Sequence, residues 1–185
     1  MGERLTLESL RDALRGRAPE HVRDPVAQRA AVALVLRGGT EGVEVLFIRR
    51  AEHPKDPWSG QIAFPGGRSE PGDPDLLATA IRETREETGL DLDAAELLGE
   101  LDEIRAIGRL RPVDMSIRPF VFHLEGRTET HPSGEVRSVH WLGLDALLRP
   151  EAKGTFTYLQ QDETLHFPCV KQGEILIWGL TYRMF

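Results

Sequence analysis

The alternation of apolar and polar residues along the chain predicts a protein of mixed strands and helices. A continuous apolar run over 30–36 has the length of a buried strand, and a glycine-rich turn over 38–42 leads into a second strand over 43–50. Further strands are predicted over 96–102, 115–124 and 136–142, and a hairpin over 156–167. This order favours an α/β architecture, with helices on both faces of a mixed sheet.

Helical spacing predicts an N-terminal helix, because leucines at 7, 10 and 14 follow Thr6 and stop before Gly16. A short helix is predicted over 144–148 and a closing amphipathic helix over 174–184. Residues 19–25 form a linker. We therefore expect an N-terminal helix and linker over 1–25, followed by one domain over 26–185.

The clearest helix follows the glycine loop at Gly66 and Gly67. Asp73 is suited to its N-cap, Pro74 to its first position and Gly89 to the left-handed residue beyond its end. These three residues predict where the helix begins and ends.

This helix places Glu83, Glu86 and Glu87 within about a quarter-turn of one another. Like charges at this spacing cost a few tenths of a kcal/mol, which a bound divalent cation would offset. A solvated acidic face is the alternative. However, no lysines alternate with the glutamates, and a separate apolar stripe can dock on the sheet. The pattern therefore favours a metal site.

Composition narrows the class of protein. The chain has 185 residues, suited to one core, and its net charge of −7 argues against nucleic-acid or anionic-membrane partners. No apolar run approaches the ~20 residues of a membrane span, and no signal-peptide pattern opens the chain. Cys169 is a lone cysteine in an apolar stretch, which predicts a packed thiol. We expect a cytoplasmic protein, and the sequence leaves open whether it forms a homodimer.

The glycine loop and acidic helix resemble the Nudix box. The positions that match are Arg82, Glu83, Glu86, Glu87, Gly89 and Leu90. Between Gly67 and Arg82 there is one residue more than in the general box, and aspartate fills the earlier acidic position. This longer spacing resembles the coenzyme A pyrophosphatase branch of the family.

Three further segments resemble that branch: 59–67 before the box, 45–51 in the second strand and 177–181 near the C-terminus. The chain departs from the branch at Lys55, where the branch has an arginine, and in a neighbouring loop that is one residue longer.

The resemblance implies a Nudix-type α/β/α sandwich, with a mixed central sheet and the box helix packed on it. It also implies a pyrophosphohydrolase that needs Mg²⁺ or Mn²⁺, held by Glu83, Glu86, Glu87 and the carbonyl of Gly67. Such hard cations prefer oxygen ligands. Arg82 is expected to orient a glutamate through a salt bridge.

A further ligand or general base is expected outside the box. Glu135 is the first candidate, because it opens the strand that ends at Trp141 and matches a Glu-Val…Trp pattern of the family. The alternative for Glu135 is an exposed residue at the start of a strand. Glu103 is a second candidate.

Substrate contacts are expected just ahead of the box. Arg49, Arg50 and Lys55 can pair with phosphate oxygens, although surface arginines at a strand end are usually solvated. Phe64 and Trp58 can stack on adenine, and Phe64 suits the core equally. Other candidates are His53, Arg105, Arg109 and Arg111.

The leading hypothesis is metal-dependent hydrolysis of coenzyme A or acyl-coenzyme A to 3′-phosphoadenosine 5′-phosphate and 4′-phosphopantetheine. A second is a Nudix hydrolase acting on another small nucleotide, namely ADP-ribose, a dinucleotide or a nucleoside triphosphate. A third is a catalytically silent, nucleotide-sensing Nudix domain. Such domains usually lose box carboxylates, and all three are present here.

Overall fold

The structure is a computed structural model that describes residues 4–54, 58–107, 112–160 and 163–185. Its helices are α1 Leu7–Arg15, α2 Leu76–Thr88, α3 Leu144–Leu148 and α4 Gly179–Met184. Its strands are β1 Gln28–Gly39, β2 Gly42–Arg50, β3 Ile62–Ala63, β4 Gly66–Arg68, β5 Glu96–Glu100, β6 Ile104–Ile107, β7 Pro112–His123, β8 Val136–Gly143, β9 Lys153–Gln160, β10 Glu163–Gln172 and β11 Ile175–Trp178. The predicted contacts Lys55, Arg109 and Arg111 lie outside the described residues.

The main sheet is mixed and has β1 near its centre. Its strand order is β3-β2-β1-β7-β5, with β4 on β1, β6 on β7 and β8 on β2. β1 runs parallel to β7, whereas the other pairs are antiparallel. A separate three-stranded sheet has the order β11-β10-β9.

Both faces of β1 are buried, which explains its continuous apolar run. Val32 and Leu34 belong to one core cluster, shared with α3, α4 and the small sheet. Ala33 and Val35 point to the opposite face and pack with residues of α2. Helices therefore cover both faces of a mixed sheet, which confirms the predicted fold class.

The N-terminal helix is confirmed as α1, and the hydroxyl of Thr6 caps it by accepting the amide of Ser9. Residues 4–24, which we call the N-terminal strap, pack leucines of α1 against the core and also form ion pairs with the sheet. Arg11 pairs with Glu96 at 2.7 Å, and Arg17 pairs with Asp102. The division of the chain at 25/26 stays a prediction.

The closing helix predicted over 174–184 is wrong in its first half. Ile175 and Ile177 are buried on the strand β11, which pairs with β10, and the helix begins only at Gly179. Gly179 has a φ of 63°, so the chain turns there from strand to helix through a conformation that favours glycine.

The predicted N-cap of the box helix is also wrong by two residues. Asp75 caps α2 by accepting the amide of Ala78 at 2.8 Å. The carboxylate of Asp73 is instead occupied by the guanidinium of Arg82. The predicted end at Gly89 is confirmed, with a φ of 74°.

A cleft opens where β1 and β2 separate. The two strands pair only near their connecting turn, at 36–39 and 42–45. Farther along, β4 pairs with β1 and β3 pairs with β2, so the segment 62–68 fills the gap. Gly66 makes this possible, because a side chain there would clash with the backbone of Ala31. The glycine loop therefore lies within the sheet, beside the box helix.

Candidate active site

The box helix is fixed on the sheet by one face of small and apolar side chains. Leu76, Ala80, Thr84 and Thr88 are buried there. The hydroxyls of Thr84 and Thr88 donate back to carbonyls one turn earlier, so these polar groups are satisfied within the helix. This anchoring directs Glu83 and Glu87 toward the glycine loop.

Glu87 is almost fully buried beside the glycine loop. Its Oε2 accepts the amide of Gly66 at 2.9 Å, and its Oε1 lies 3.8 Å from a guanidinium nitrogen of Arg50. Burial raises the pKa of Glu87 to about 7, although the Gly66 amide and Arg50 oppose this shift. The carboxylate is therefore incompletely neutralised by the protein.

Glu83 lies one turn earlier and packs on Gly67. A side chain at Gly67 would clash with the carboxylate of Glu83, so glycine is needed for this approach. Burial raises the pKa of Glu83, Arg82 opposes the shift, and the charges of Glu86 and Glu135 add to it. Glu83 and Glu87 thus share a site that disfavours negative charge.

Arg82 connects the acidic groups of the helix. It forms a bidentate pair with Asp73, with both N–O distances 2.9 Å, and also contacts Glu83 at 3.0 Å and Glu86 at 3.1 Å. Hydrogen bonding from Arg82 holds the pKa of Asp73 far below its usual range. The expected salt bridge between Arg82 and a glutamate is present, and Asp73 anchors it.

A cavity of about 500 Å³ lies between the box helix, the glycine loop and α4. Glu83, Glu87 and Glu135 line its acidic side, whereas Glu86 is outside this lining and its side chain is 59% exposed. The other lining residues include Ala30, Val32, Arg50, His53, Trp58, Ile62, Phe64, Gly66, Gly67, Arg68, Met115, Ile117, Leu180, Thr181 and Met184. Two of the three glutamates on the box helix therefore line the cavity, and Glu135, just before β8, lines it with them.

The two predicted arginines of β2 have different positions. Arg50 lines the cavity, whereas Arg49 donates to the carbonyl of Glu174 at 3.3 Å. Phe64 also lines the cavity. Its side chain is buried, however, and its ring stacks on that of Phe47 with the centroids 4.8 Å apart. Phe64 therefore belongs to the core as well as to the cavity wall.

Glu103 does not line this cavity. Its buried carboxylate accepts the hydroxyl of Ser116 at 2.5 Å, a guanidinium N–H of Arg118 at 3.1 Å and the amide of Val22 at 3.2 Å. Burial alone would raise the pKa of Glu103, but these hydrogen bonds outweigh it and lower the pKa. Glu103 therefore attaches the N-terminal strap to the sheet.

The sequence reasoning missed the apolar wall of the cavity. Met115 comes from β7, whereas Leu180 and Met184 come from α4. The hydroxyl of Thr181 donates to the carbonyl of Ile62 at 3.0 Å and so holds α4 against β3. Leu180 and Thr181 lie in the segment 177–181 that resembles the coenzyme A pyrophosphatase branch, whereas no local pattern identifies Met115 or Met184, which only the tertiary fold brings to the site.

The acidic side of the cavity fits a divalent cation by its chemistry. In the ranges that the structure describes, no three His, Cys, Asp or Glu side chains converge as a complete ligand set. Arg82 instead bridges Glu83 and Glu86. Even so, Glu83 and Glu87 present hard carboxylate oxygens next to Gly67, and their raised pKa values reflect the cost of unneutralised charge. The residues present therefore suit a hard divalent cation.

The family model of the NUDIX domain matches residues 27–161. The chain belongs to the Nudix family. This confirms the resemblance that the box indicated.

Curated relatives of this Nudix protein include two mouse coenzyme A diphosphatases. Mitochondrial coenzyme A diphosphatase NUDT8 is 29% identical over 85% of this chain and 73% of its own length. Peroxisomal coenzyme A diphosphatase NUDT7 is 33% identical over 83% of this chain and 64% of its own length. The Arabidopsis thaliana relative Nudix hydrolase 22, chloroplastic, is 29% identical, and the chain covers only 53% of it. These relatives support the prediction of a pyrophosphohydrolase.

Solved structures show the same fold at low identity. A C. elegans Ap4A hydrolase complex gives a TM-score of 0.53 at 20% identity, over 64% of this chain and 82% of that one. The Nudix domain of Shewanella oneidensis NrtR, complexed with ADP ribose, gives 0.52 at 19% identity, over 71% and 77%. These likenesses confirm the Nudix architecture.

Proposed function

We propose that this Nudix protein hydrolyses the diphosphate linkage of coenzyme A or acyl-coenzyme A, with Mg²⁺ or Mn²⁺ as cofactor. The products are 3′-phosphoadenosine 5′-phosphate and 4′-phosphopantetheine. The cavity supports this proposal most directly, because three carboxylates face an apolar wall across a space of about 500 Å³. A substrate whose diphosphate is joined to a less polar group would place the diphosphate, with its cation, at the carboxylates and the less polar group at the apolar wall. The two mouse coenzyme A diphosphatases favour coenzyme A among such substrates.

A diphosphate resists water because its negative charge repels the nucleophile. A divalent cation, when bound, neutralises this charge and lowers the pKa of bound water. Glu83 and Glu87 would hold the cation, together with the carbonyl of Gly67. Glu86 is proposed as a further ligand from the box resemblance; here its carboxylate contacts Arg82 at 3.1 Å, and Arg82 also contacts Glu83.

The other side chains would orient the reactants. Arg50 lines the cavity beside Glu87, with a guanidinium nitrogen 3.8 Å from that carboxylate, and can also contact phosphate oxygens there. Glu135 is proposed as the general base. As a water oxygen bonds to one phosphorus, Glu135 takes the water proton, the bridging P–O bond breaks and the departing phosphate keeps the bonding pair. Arg82 holds Glu83 in place and is itself fixed by Asp73.

The substrate is tested by incubating the protein with coenzyme A and Mg²⁺ or Mn²⁺, followed by separation of the products. Parallel reactions use acyl-coenzyme A, ADP-ribose, diadenosine polyphosphates and nucleoside triphosphates. We expect the highest kcat/KM with coenzyme A or one of its acyl derivatives. No cleavage of coenzyme A beside rapid cleavage of another nucleotide would refute the substrate and retain the reaction class.

A catalytically silent, nucleotide-sensing domain gives a different result. Such a protein binds a nucleotide, and Glu87→Gln does not change its residual turnover. The matched measurement is therefore binding and turnover of the same nucleotide by wild-type and Glu87→Gln protein. A large loss of turnover with retained binding supports the enzyme.

Location and assembly stay predictions. No helix in the described ranges is long and apolar enough to cross a membrane. A cytoplasmic location, a lack of nucleic-acid partners and the choice between monomer and homodimer are proposed from the sequence. Cell fractionation tests the location, and light scattering tests the oligomeric state.

A further inference from the structure

The loop between β7 and β8 is attached to the C-terminal end of the box helix. The amide of His131 donates to the carbonyl of Thr88 over 2.7 Å, and the amide of Ser133 donates to the carbonyl of Glu87 over 3.0 Å. The last carbonyls of a helix have no partner within the helix, so a neighbouring segment can satisfy them. The loop therefore caps α2 from outside.

Gly89 allows this close approach. A Cβ atom at Gly89 would lie 3.1 Å from the Cβ of His131 and 3.3 Å from its nitrogen, so a side chain would press on the loop. Gly89 also adopts the left-handed conformation that ends the helix. The same glycine thus ends α2 and admits the loop.

Hydrogen bonds continue from this attachment to Glu135. The hydroxyl of Ser133 accepts the amide of Glu135 over 3.3 Å, and the carbonyl of Glu135 accepts the amide of Ala51 over 2.8 Å. Ala51 follows Arg50, whose guanidinium lies 3.8 Å from Glu87. These contacts form a closed ring from Glu87 through the loop to β2 and back.

We propose that Ser133 is a positioning residue, which fixes Glu135 relative to the box helix so that its carboxylate stays at the cavity. The inference rests on the proposed function, in which Glu135 accepts a proton from water. Glu135 is exposed, so core packing does not fix it. Hydrogen bonds at its own amide and carbonyl hold its backbone, and Ser133 provides the one that leads to Glu87.

A double-mutant cycle tests whether Ser133 affects catalysis through Glu135. Ser133→Ala is expected to lower kcat about tenfold and to change KM less than twofold, because a small displacement of a catalytic group slows chemistry more than binding. Ser133→Thr, which keeps the hydroxyl, restores kcat to within about twofold. In a Glu135→Gln background, Ser133→Ala should cost nothing more, since it acts through the missing carboxylate. An equal loss in both backgrounds would overturn the proposal.

Amide hydrogen exchange without substrate tests the hydrogen bond between Ser133 and Glu135 independently of activity. Ser133→Ala should accelerate exchange in peptides that cover 131–136 and leave the peptides of β1 and β7 unchanged. Ser9→Ala is the matched control, because its hydroxyl accepts the amide of Thr6 over 3.1 Å far from the cavity. Unchanged exchange over 131–136 would show that the hydroxyl of Ser133 does not hold the amide of Glu135, because Ser133→Ala keeps both backbone bonds to α2. A wild-type protein that cleaves no nucleotide would refute the proposed function, while the exchange result would still decide whether Ser133 holds the loop.

Discussion

The candidate active site and the N-terminal strap both contain many carboxylates and arginines, but their charges are arranged in opposite ways. In the strap, each partner of an ion pair faces an opposite charge near solvent, and hydrogen bonding from Arg11 lowers the pKa of Glu96. In the site, burial raises the pKa of both Glu83 and Glu87. Paired, exposed charges are typical of attachment, whereas crowded, buried carboxylates are typical of a site that binds charge.

Glu103 makes the comparison sharper, because it is buried like the site glutamates and yet has a lowered pKa. The difference is its partners: Ser116, Arg118 and the amide of Val22 together satisfy its oxygens. Burial alone therefore does not distinguish a functional carboxylate. The decisive feature is charge that the protein leaves without sufficient compensation.

The largest expected effect is the loss of catalysis in Glu87→Gln. Removing a comparable electrostatic group typically costs about 2.7–4 kcal/mol, so kcat should fall at least a hundredfold. The measurement is the steady-state rate with coenzyme A at saturating Mg²⁺. Glu129→Gln, in an exposed loop, is the control and should retain full activity. A Glu87→Gln rate within tenfold of wild type would contradict this prediction.

The same substitution should stabilise the metal-free protein at alkaline pH. The pKa of Glu87 is raised from 4.5 to about 7, so between these values the folded state holds a proton that the unfolded chain has lost. Stability therefore falls as the pH rises through this window, by about 3 kcal/mol in all. Urea unfolding at pH 5 and pH 8 in the presence of a chelator measures it.

Glu87→Gln removes this ionisation. Its free energy of unfolding should exceed that of wild type at pH 8 and match it at pH 5. Equal free energies of unfolding for the two proteins at pH 8 would show that burying the ionised carboxylate of Glu87 does not destabilise the fold.

Glu103→Gln should lower the stability of the protein, whereas Glu87→Gln raises it at pH 8. Unlike Glu87→Gln, it should leave catalysis unchanged. It removes the charge that faces Arg118 at 3.1 Å, and a hydrogen bond between charged groups contributes about 1.5–3 kcal/mol. We expect a loss of about 2 kcal/mol at pH 7, with kcat of the folded protein unchanged. Because the lowered pKa favours the folded state, wild-type stability should decline as the pH falls through that pKa, and the variant should lack this decline. A selective loss of kcat would instead give Glu103 a catalytic role.

The smallest effect is expected from Arg11→Ala in the strap. The pair of Arg11 with Glu96 is partly exposed, so water and salt screen it. The thermal midpoint should stay within the error of the measurement, at low salt and at 0.5 M NaCl, a concentration at which the screening length is on the order of a few Å. A midpoint lowered as far as in Glu103→Gln would show that the strap depends on its exposed ion pairs.

Local sequence patterns were sufficient to predict those elements that depend on neighbouring residues alone. The apolar run of β1 predicts a strand buried on both faces, and Gly89 predicts the end of α2. The start of α2 could not be predicted equally well, because Asp73 and Asp75 both suit an N-cap. Only the folded chain shows that Arg82 takes the carboxylate of Asp73.

The site divides in the same way. The box placed Glu83 and Glu87 correctly beside the glycine loop, because helix geometry and the loop are local features. Glu86 instead has an exposed side chain in contact with Arg82, and the wall formed by Met115 and Met184 depends on contacts between distant segments. The short apolar run over 175–178 suits either a strand or a helix, and pairing with β10 decides it.

The position of β1 also determines the order in which this protein can be assembled during synthesis. β1 leaves the ribosome early, but the strand that pairs with it in parallel arrives only after the glycine loop and the box helix have been made. Such non-local pairing slows folding, because a long segment must be ordered before its contacts form. Until β7 emerges, the edge of β1 that pairs with β7 lacks this partner, and an open strand edge of this kind can pair with other chains.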